Sequence, residues 1–337
     1  MNEIVTLHHG SGGRRMHALI DQVFLRHFSN AALNEKADAA VLKDPGSALA
    51  FTTDSYVVDP LFFPGGDIGK LAVCGTLNDL SVSFAKPAAL SASFILEEGF
   101  PLRDLERIAG SMAAEARKAG VPIVTGDTKV VPKGKCDKIF INTSGIGTLL
   151  KSSTSSWKRT AVRPGDRVIL SGPVGDHAIA ILLAREAFSF SATVRSDCAS
   201  LYPLIHGITR ISKRVRMMRD VTRGGLSSVL NEIAEACGMG IGLREESIPV
   251  RKEVRAVCEL LGYDPLNLAN EGKFVAVVGR ADADRLVSQM RKHPLGRSAA
   301  VIGEVVTAHP GKVLMDTVSG GKRIVEMVSG EQLPRIC

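Results

Sequence analysis

The sequence predicts an α/β protein made of two mixed α/β domains and a flexible C-terminal tail. Strand-like and helix-like apolar segments alternate along the chain, and the alternation occurs twice. The 337 residues also exceed what one small hydrophobic core usually organises. A polar stretch at 151–156 separates the two alternations. We therefore divide the chain into domains at 1–155 and 156–310, followed by terminal strands and the tail at 311–337.

The first half of the chain contains three helix-like and three strand-like segments. Apolar residues spaced three and four apart predict helices at 14–28 and 102–119, and Gly120 closes the second of these. An apolar segment rich in small residues predicts a third helix at 68–85. Runs of apolar and β-branched residues predict strands at 48–53, 90–96 and 139–149.

The second half repeats this alternation without repeating the sequence of the first half. A strand at 167–170 leads through a glycine-rich turn into a helix at 176–188. Helices at 223–237 and 251–261 follow, and Gly238 and Gly262 close them. Strands are predicted at 274–278, 300–306 and 312–316.

Composition and charge disfavour several classes of protein. The net charge of +7 favours anionic partners, such as phosphate ligands or an acidic protein. Basic residues are scattered and aromatic residues make up only 5%, which disfavours nucleic-acid binding. No run reaches the roughly 18 apolar residues of a membrane span. The six cysteines form no C-x-x-C pair, so zinc is not indicated and a cytoplasmic protein with reduced thiols is expected.

Four aspartates lie beside glycine, threonine or other small residues near the ends of apolar segments: Asp54, Asp79, Asp127 and Asp220. Magnesium prefers hard oxygen ligands and is usually held by a few carboxylates together with nucleotide phosphates. Any single aspartate of this kind is more often a turn or helix-cap residue. Four of them together predict a shared site for Mg²⁺ and a nucleotide.

Two glycine-rich segments could present backbone N–H groups to a phosphate. Residues 9–13, with Gly10, Gly12 and Gly13, and residues 172–176 each precede a predicted helix, whose N-terminus favours an anion. Neither segment fits the P-loop or the dinucleotide-binding pattern, so each is a weak signal when taken singly.

Three further residues each have a simple structural interpretation beside the functional one. Lys129 follows Asp127 in an apolar segment and is otherwise a solvated loop lysine. Glu271, directly before a predicted strand, is otherwise part of a surface turn. His177 lies at a predicted helix start and is interpreted as a cap or core residue.

The last residue of the sequence is a cysteine, Cys337. Its thiol can move on a flexible arm, which Pro334 stiffens locally and for which Ser329-Gly330 offer a pivot. Prenylation needs the cysteine four residues from the end and is therefore not indicated. The simpler alternative is a frayed tail that ends in cysteine by chance.

Eight segments along the chain match one known family. They are HGSGG at 9–13, FTTDSYVVDP at 51–60, LFFPGGDIG at 61–69, Asn78-Asp79, VTGDTKV at 124–130, RDVTRGG at 219–225, ANEGK at 269–273 and PRIC at 334–337. The chain closely resembles the HypE family of hydrogenase maturation factors, which belongs with aminoimidazole ribonucleotide synthetase, selenophosphate synthetase and thiamine-monophosphate kinase. The resemblance runs essentially from end to end, and PRIC and VTGDTKV are its most specific motifs.

The resemblance implies an ATP-dependent lyase, a carbamoyl dehydratase that works on its own tail. The partner HypF would place a carbamoyl group on Cys337, and ATP would drive its dehydration to a thiocyanate. The HypC–HypD complex would then receive the cyanide for the iron of nickel–iron hydrogenase. The implied fold is two domains of the aminoimidazole ribonucleotide synthetase type, with a homodimer formed through the N-terminal domains.

The resemblance also implies roles for the residues singled out above. Cys337 would carry the substrate, Glu271 would accept a proton, and Lys129 would orient the phosphate and the thiocarboxamide. The other implied positions bind Mg²⁺ or ATP: Asp54, Asp79 and Asp220 for the metal, Asp127 as a fourth candidate, and Gly10, Gly12 and Gly13 over the phosphates or the tail.

Two other interpretations remain open at the level of sequence. The chain could be another ATP-dependent enzyme of the superfamily that phosphorylates a small soluble substrate. It could also be a non-catalytic scaffold that binds nucleotide and uses the tail as a docking peptide. The four aspartates argue against the scaffold, because binding alone rarely needs so many convergent carboxylates.

Overall fold

The computed structural model describes residues 14–19, 21–22, 33–38, 40–44, 47–150, 162–185, 193–328, 333 and 336–337. Gly10, Gly12 and Gly13, which the sequence analysis assigns to phosphate binding, lie outside the described residues. The tail residues 329–332 and 334–335 also lie outside them, as does most of the C-terminal part of the predicted helix at 14–28.

The first half contains a five-stranded sheet, a two-stranded ribbon and two long helices. Its elements are α1 (Arg14–Leu19), β1 (Ala40–Asp44), β2 (Ser47–Tyr56), β3 (Phe62–Phe63), β4 (Gly66–Asp67), α2 (Ile68–Val82), β5 (Ala85–Glu97), α3 (Leu102–Ala119), β6 (Ile123–Val131) and β7 (Ile139–Leu149). The large sheet has the order β1-β2-β7-β5-β6, so β6 forms one edge and pairs in parallel with β5. The strands and the two long helices predicted between 48 and 149 are confirmed.

Helix α2 lies between the sheet, helix α3 and the second half of the chain. Asp67 caps its start by accepting hydrogen bonds from the backbone nitrogens of Gly69 and Lys70, at 2.8 and 2.9 Å. Nearly all its residues are buried because neighbours cover every side. Asn78 joins the two halves: its Nδ2 donates to the carbonyl of Ala199 at 3.1 Å, and its Oδ1 accepts from the nitrogen of Leu201 at 2.7 Å.

The second half contains a seven-stranded sheet with helices on both faces. Its elements are β8 (Arg167–Leu170), α4 (Asp176–Arg185), α5 (Tyr202–Ile211), β9 (Val215–Asp220), α6 (Gly225–Cys237), β10 (Gly240–Arg244), α7 (Lys252–Leu261), β11 (Phe274–Val278), α8 (Ala283–Met290), β12 (Ala300–Val306), β13 (Val313–Asp316) and β14 (Lys322–Val325). The strand order is β14-β13-β10-β12-β8-β11-β9. Helices α5 and α8 pack on one face, and α6 packs on the other.

The sequence analysis did not predict α5, α8, the two short strands β3 and β4, or the strands β1, β6, β9, β10 and β14. In β10, Gly240 and Gly242 interrupt the apolar run, and a Cβ on Gly240 would lie 2.0 Å from the carbonyl oxygen of Ala308. The helix predicted from residue 223 begins at Gly225 instead. Gly224, which immediately precedes this helix, has a φ of 77°, so the right-handed helix cannot extend back through it to residue 223. The domain boundaries at 155 and 310 stay predictions, although β13 and β14 extend the second sheet.

Across the described ranges, no helix combines the length and the apolar character that crossing a bilayer would require.

Candidate active site

Three carboxylates from separate parts of the first two-thirds of the chain meet at one point. Asp38 precedes β1, Asp79 lies in the last turn of α2, and Asp220 ends β9. Carboxylate oxygens of these residues lie within 4.8 Å of one another. The hydroxyl of Thr52 donates to Asp79 Oδ2 at 2.7 Å, and Arg219 Nε lies 3.0 Å from Asp38 Oδ2. The group can hold a divalent cation, because clustered carboxylate oxygens suit Mg²⁺.

Asp54 joins this acidic cluster from strand β2. It accepts a hydrogen bond at 3.0 Å from the hydroxyl of Tyr56, which lies on the same face of the strand. Tyr56 reaches this position only because residue 75 of α2 is glycine, since a Cβ there would lie 2.1 Å from the tyrosine oxygen. The glycine in Gly75-Thr76-Leu77-Asn78-Asp79 therefore makes room for the site.

The acidic cluster holds its protons tightly. Burial raises the pKa of Asp38 to about 6, although Arg219 acts against the shift. Burial also raises the pKa values of Asp79 and Asp220 well above their usual range, and neighbouring carboxylates raise both further. Burial raises the pKa of Asp54 as well, and its hydrogen bond from Tyr56 opposes that rise. A cation bound here would relieve this repulsion, so the donor set fits a hard metal ion.

Glu271 lies on a loop that a buried aspartate fixes in place. Asp197 accepts hydrogen bonds from the backbone nitrogens of Glu271 at 3.0 Å and Gly272 at 3.2 Å, and from Lys273 Nζ at 2.8 Å. Residue 272 must be glycine, because a Cβ would lie 2.0 Å from the carbonyl oxygen of Asp197. The loop is therefore a buried, rigid support, and the interpretation of Glu271 as part of a surface turn is wrong.

The carboxylate of Glu271 is 3% exposed, and its Oε1 has no hydrogen-bond partner within the described part of the chain. Burial raises the pKa of Glu271 well above its usual range, and the nearby Cys198 and Asp197 raise it further. A carboxylate of this kind binds a proton more tightly than an exposed glutamate does. That property is what a general base at this position needs.

The thiol of Cys337 reaches this loop. It lies within hydrogen-bonding reach of Glu271, and its charged form would be attracted to Arg223 and repelled by Glu271 and Asp54. Burial raises the pKa of the Cys337 thiol far above its usual value, so the docked thiol is neutral. Just before it, Ile336 is buried and pairs with Val58 in an isolated antiparallel bridge. Ile336 and Cys337 thus lie against the elements that carry Val58 and Glu271.

Asp127 and Lys129 do not join this cluster. Both lie within edge strand β6 and are exposed, on the sheet face that points away from α2. Asp127 therefore lies inside a strand, whereas Asp79 lies in the last turn of a helix. Asp54, Asp79, Asp220, Glu271 and Cys337 are brought together, whereas the ligand roles of individual aspartates stay predictions.

Comparison with known proteins decides the family. The model of the AIR synthase related protein N-terminal domain matches residues 36–149, and that of the C-terminal domain matches residues 163–316. The carbamoyl dehydratase HypE of Azotobacter vinelandii is 51% identical over 336 residues, which cover 100% of this chain and 98% of that protein. The chain belongs to the HypE family.

Solved HypE structures have the same fold. A crystal structure of a HypE–HypF complex matches with a TM-score of 0.87 and 48% identity, covering 92% of this chain and 100% of that chain. HypE crystallised in complex with ATP matches with a TM-score of 0.83 and 48% identity, covering 98% and 100%. The predicted two-domain α/β fold of the HypE family is therefore confirmed.

Two residues of the candidate site were not predicted from the sequence, Asp38 and Arg223. Asp38 stands in Ala37-Asp38-Ala39-Ala40 just before β1, and it shares small neighbours with the other aspartates. Arg223 lies inside the RDVTRGG segment, three residues after Asp220, yet only the aspartate was selected. Electrostatic attraction to the ionised form of Cys337, and to those of Asp54 and Glu271, raises the pKa of Arg223, so the guanidinium stays charged beside the thiol.

Proposed function

We propose that this protein is a carbamoyl dehydratase that removes water from a carboxamide carried on Cys337. The product is a thiocyanate on the same sulfur, and it supplies the cyanide ligands of nickel–iron hydrogenase. The position of the Cys337 thiol, within reach of Glu271 and beside Arg223 and the acidic cluster, carries this proposal. A tail that docks its last side chain against a buried carboxylate is the arrangement that such a reaction requires.

The proposed chemistry uses ATP because an amide oxygen is a very poor leaving group. Transfer of the γ-phosphoryl group to that oxygen converts it to a phosphate ester, which can depart. The amide nitrogen must lose two protons: it releases the first to solvent as the oxygen is phosphorylated, and Glu271 accepts the second as phosphate leaves and the C≡N bond forms. Its raised pKa suits that role. Arg223 is placed to offset negative charge that develops beside the sulfur.

ATP and Mg²⁺ are the proposed co-substrate and metal. A HypE that is 48% identical was crystallised in complex with ATP. Asp38, Asp79 and Asp220, with Asp54 beside them, would hold the metal. Magnesium would neutralise phosphate charge, while the fixed side chains orient the nucleotide.

Mg²⁺ should stabilise the folded protein at pH 8 and have little effect at pH 5. The folded state keeps a proton on Asp38 up to about pH 6, whereas an unfolded aspartate loses it near 3.8. Without a cation, the cluster therefore lowers the free energy of unfolding as the pH rises through this window. At pH 8 we expect Mg²⁺ at one hundred times its Kd to raise Tm by about 5 °C, as measured by calorimetry.

Asp220→Asn should remove most of this Mg²⁺-dependent rise in Tm. Asp316→Asn is the matched control, because Asp316 is an exposed aspartate at the end of a strand in the same sheet and pairs with Lys322. An equal rise in Tm for Asp220→Asn and for the unsubstituted protein would refute the proposed metal site.

HypF is the proposed source of the carbamoyl group, and the HypC–HypD complex is the proposed cyanide acceptor. A relative 48% identical to this chain was crystallised as a HypE–HypF complex. The docked thiol is neutral and half-buried, so loading by a second protein would require the tail to leave the site. The six cysteines are free thiols, which suits the reducing cytoplasm.

We propose a homodimer in which the outward faces of the two five-stranded sheets pack together. Phe51, Ile95 and Ile146 lie on this face and are 42–44% exposed. Lys129 is the cross-strand neighbour of Ile95 on the same face. Asp127 and Lys129 of one protomer would then reach the site of the other, where Lys129 would orient the phosphate.

Two inactive variants should complement each other if Lys129 acts across the dimer. In an equal mixture of Lys129→Ala and Glu271→Gln protomers, half the dimers are mixed and each has one complete site. Activity should therefore recover to about a quarter of the unsubstituted level after subunit exchange, measured as thiocyanate formed. Lys133→Ala, which changes another lysine shortly after β6, serves as the active control. No recovery in a demonstrably exchanged mixture would mean that Lys129 acts within its own chain.

Intact-mass analysis tests the proposed function. Incubation with HypF, carbamoyl phosphate and ATP should add one CONH group to the C-terminal peptide and should then remove one water from it. A tail that gains no carbamoyl group, or gains it and never loses water with ATP, would refute the proposal.

A further inference from the structure

His177 joins the docked tail to the loop that follows α4. It is the second residue of α4 and is fully buried. Its Nε2 lies 2.7 Å from the carbonyl oxygen of Ile336, the residue before Cys337. Its Nδ1 lies 2.7 Å from the hydroxyl of Ser196. The ring thus bridges two segments that lie far apart in sequence.

The partners of the ring determine where its proton lies. A carbonyl oxygen only accepts hydrogen bonds, so Nε2 must carry the proton and donate it to Ile336. Nδ1 therefore accepts from the hydroxyl of Ser196, whose oxygen in turn accepts from the backbone nitrogen of Cys198 at 3.1 Å. Burial lowers the pKa of His177, which keeps the ring in this neutral form.

The surroundings hold the ring rigidly. Phe63 packs edge-on against it with 5.6 Å between ring centroids. The backbone nitrogen of Ser196 donates to the carbonyl of Pro64 at 2.7 Å, which fixes the serine on the other side. The donor to the tail is therefore in place whether or not the tail is docked.

His177 forms its hydrogen bond with the backbone of the tail and not with the cysteine side chain. A carbonyl at residue 336 is the same whether the sulfur of Cys337 carries a proton, a carbamoyl group or a cyanide. The hydrogen bond can therefore form with every state of the substrate arm, while the side chain remains directed at Glu271. A tethered substrate needs such a contact, because the group on the sulfur changes during the reaction while the hydrogen bond that holds the tail stays the same.

We propose that His177, oriented by Ser196, is a positioning residue that clasps the tail backbone and holds Cys337 at Glu271. The clasp sets the fraction of time for which the tail is docked. The effect of this hydrogen bond on dehydration rests on the proposed function. Its effect on the accessibility of the Cys337 thiol does not depend on that function.

Alkylation of Cys337 by iodoacetamide measures the clasp without HypF or ATP. Cys136 is likewise half-buried and lies between β6 and β7, so it serves as an internal standard in the same sample. His177→Phe keeps an aromatic ring but leaves the Ile336 carbonyl without its donor. We expect Cys337 to react about five- to one-hundredfold faster relative to Cys136. His177→Gln, which retains a donor amide, should stay within about threefold of the unsubstituted protein.

Single-turnover dehydration separates positioning from a merely structural role. After loading by HypF, His177→Phe should lose water more slowly by a similar factor, and His177→Gln should restore the rate. The rate of carbamoyl loading should not fall, because release of the tail favours it.

NMR of ¹⁵N-labelled histidine in the unsubstituted protein tests the clasp even if the phenylalanine variant fails to fold. The Nε2–H tautomer of His177 with a slowly exchanging proton supports it, and a proton on Nδ1 overturns it. Unchanged alkylation of Cys337 in folded His177→Phe also overturns it. If no thiocyanate forms in any variant while the alkylation differences appear, the proposed function is wrong and the clasp stands.

Discussion

Glu271→Gln should accept a carbamoyl group on Cys337 from HypF and then fail to dehydrate it. Glutamine preserves the size and the loop, whose backbone is held by Asp197, but it cannot take up the proton that the amide nitrogen must lose. Loss of a general base lowers the rate by about 10²- to 10⁴-fold. Intact-mass analysis in the presence of ATP should therefore find the carbamoylated tail accumulating, with no loss of water.

Glu115→Gln provides the matched control for this substitution. Glu115 is also a buried glutamate, but it belongs to α3 and pairs with Lys118. It should dehydrate the tail at close to the unsubstituted rate. If Glu271→Gln also dehydrates the tail at that rate, another group is the proton acceptor and the assignment of Glu271 is wrong.

Cys337→Ala should neither gain a CONH group from HypF nor lose water with ATP. It should also lose all ATP turnover that depends on the carbamoyl group. In the proposed reaction, both the carboxamide and the nitrile are bonded to this sulfur, so no other residue can replace it. The effect is expected to be complete, while the fold remains intact because only one half-buried terminal side chain changes. Folding is checked by Tm and by ATP binding.

Cys136→Ala is the control for the loss of a thiol, since Cys136 is half-buried but lies outside the site. It should react as the unsubstituted protein does. Undiminished ATP turnover by Cys337→Ala would instead favour the alternative enzyme, one that phosphorylates a small soluble substrate.

The fold class was predictable because apolar periodicity reflects burial directly. Helix α3 has a polar outer face and an apolar inner one, and its predicted bounds agree with the structure. Strand β6 was not predicted because all but its last residue are exposed, so the burial pattern that marks a strand is missing from its sequence. Tertiary context, not local preference, makes it a strand, since it is held by pairing with β5.

The candidate site was predictable only in part, for a related reason. Asp54, Asp79 and Asp220 were found because each stands in a motif, but sequence spacing does not say which carboxylates meet in space. Asp38 was therefore missed, although its oxygens lie within 4.8 Å of those of Asp79 and Asp220. His177 was interpreted as a cap or core residue because its partner, the carbonyl of Ile336, is 159 residues away.

The bonds of Asn78 limit how the two halves of this chain can be exchanged between relatives. Its amide nitrogen also lies 3.4 Å from the carbonyl oxygen of Glu271, so a residue of the first half contacts the loop that carries the proposed proton acceptor. A chimera joined near residue 155 would combine an Asn78 from one parent with a Glu271 loop and a 199–201 segment from another. Such a chimera should dehydrate the tail only when its Asn78 forms the same hydrogen bonds with the Glu271 loop and the 199–201 segment. The compatibility of these three segments, and not the linker sequence, therefore determines whether the two halves can be exchanged.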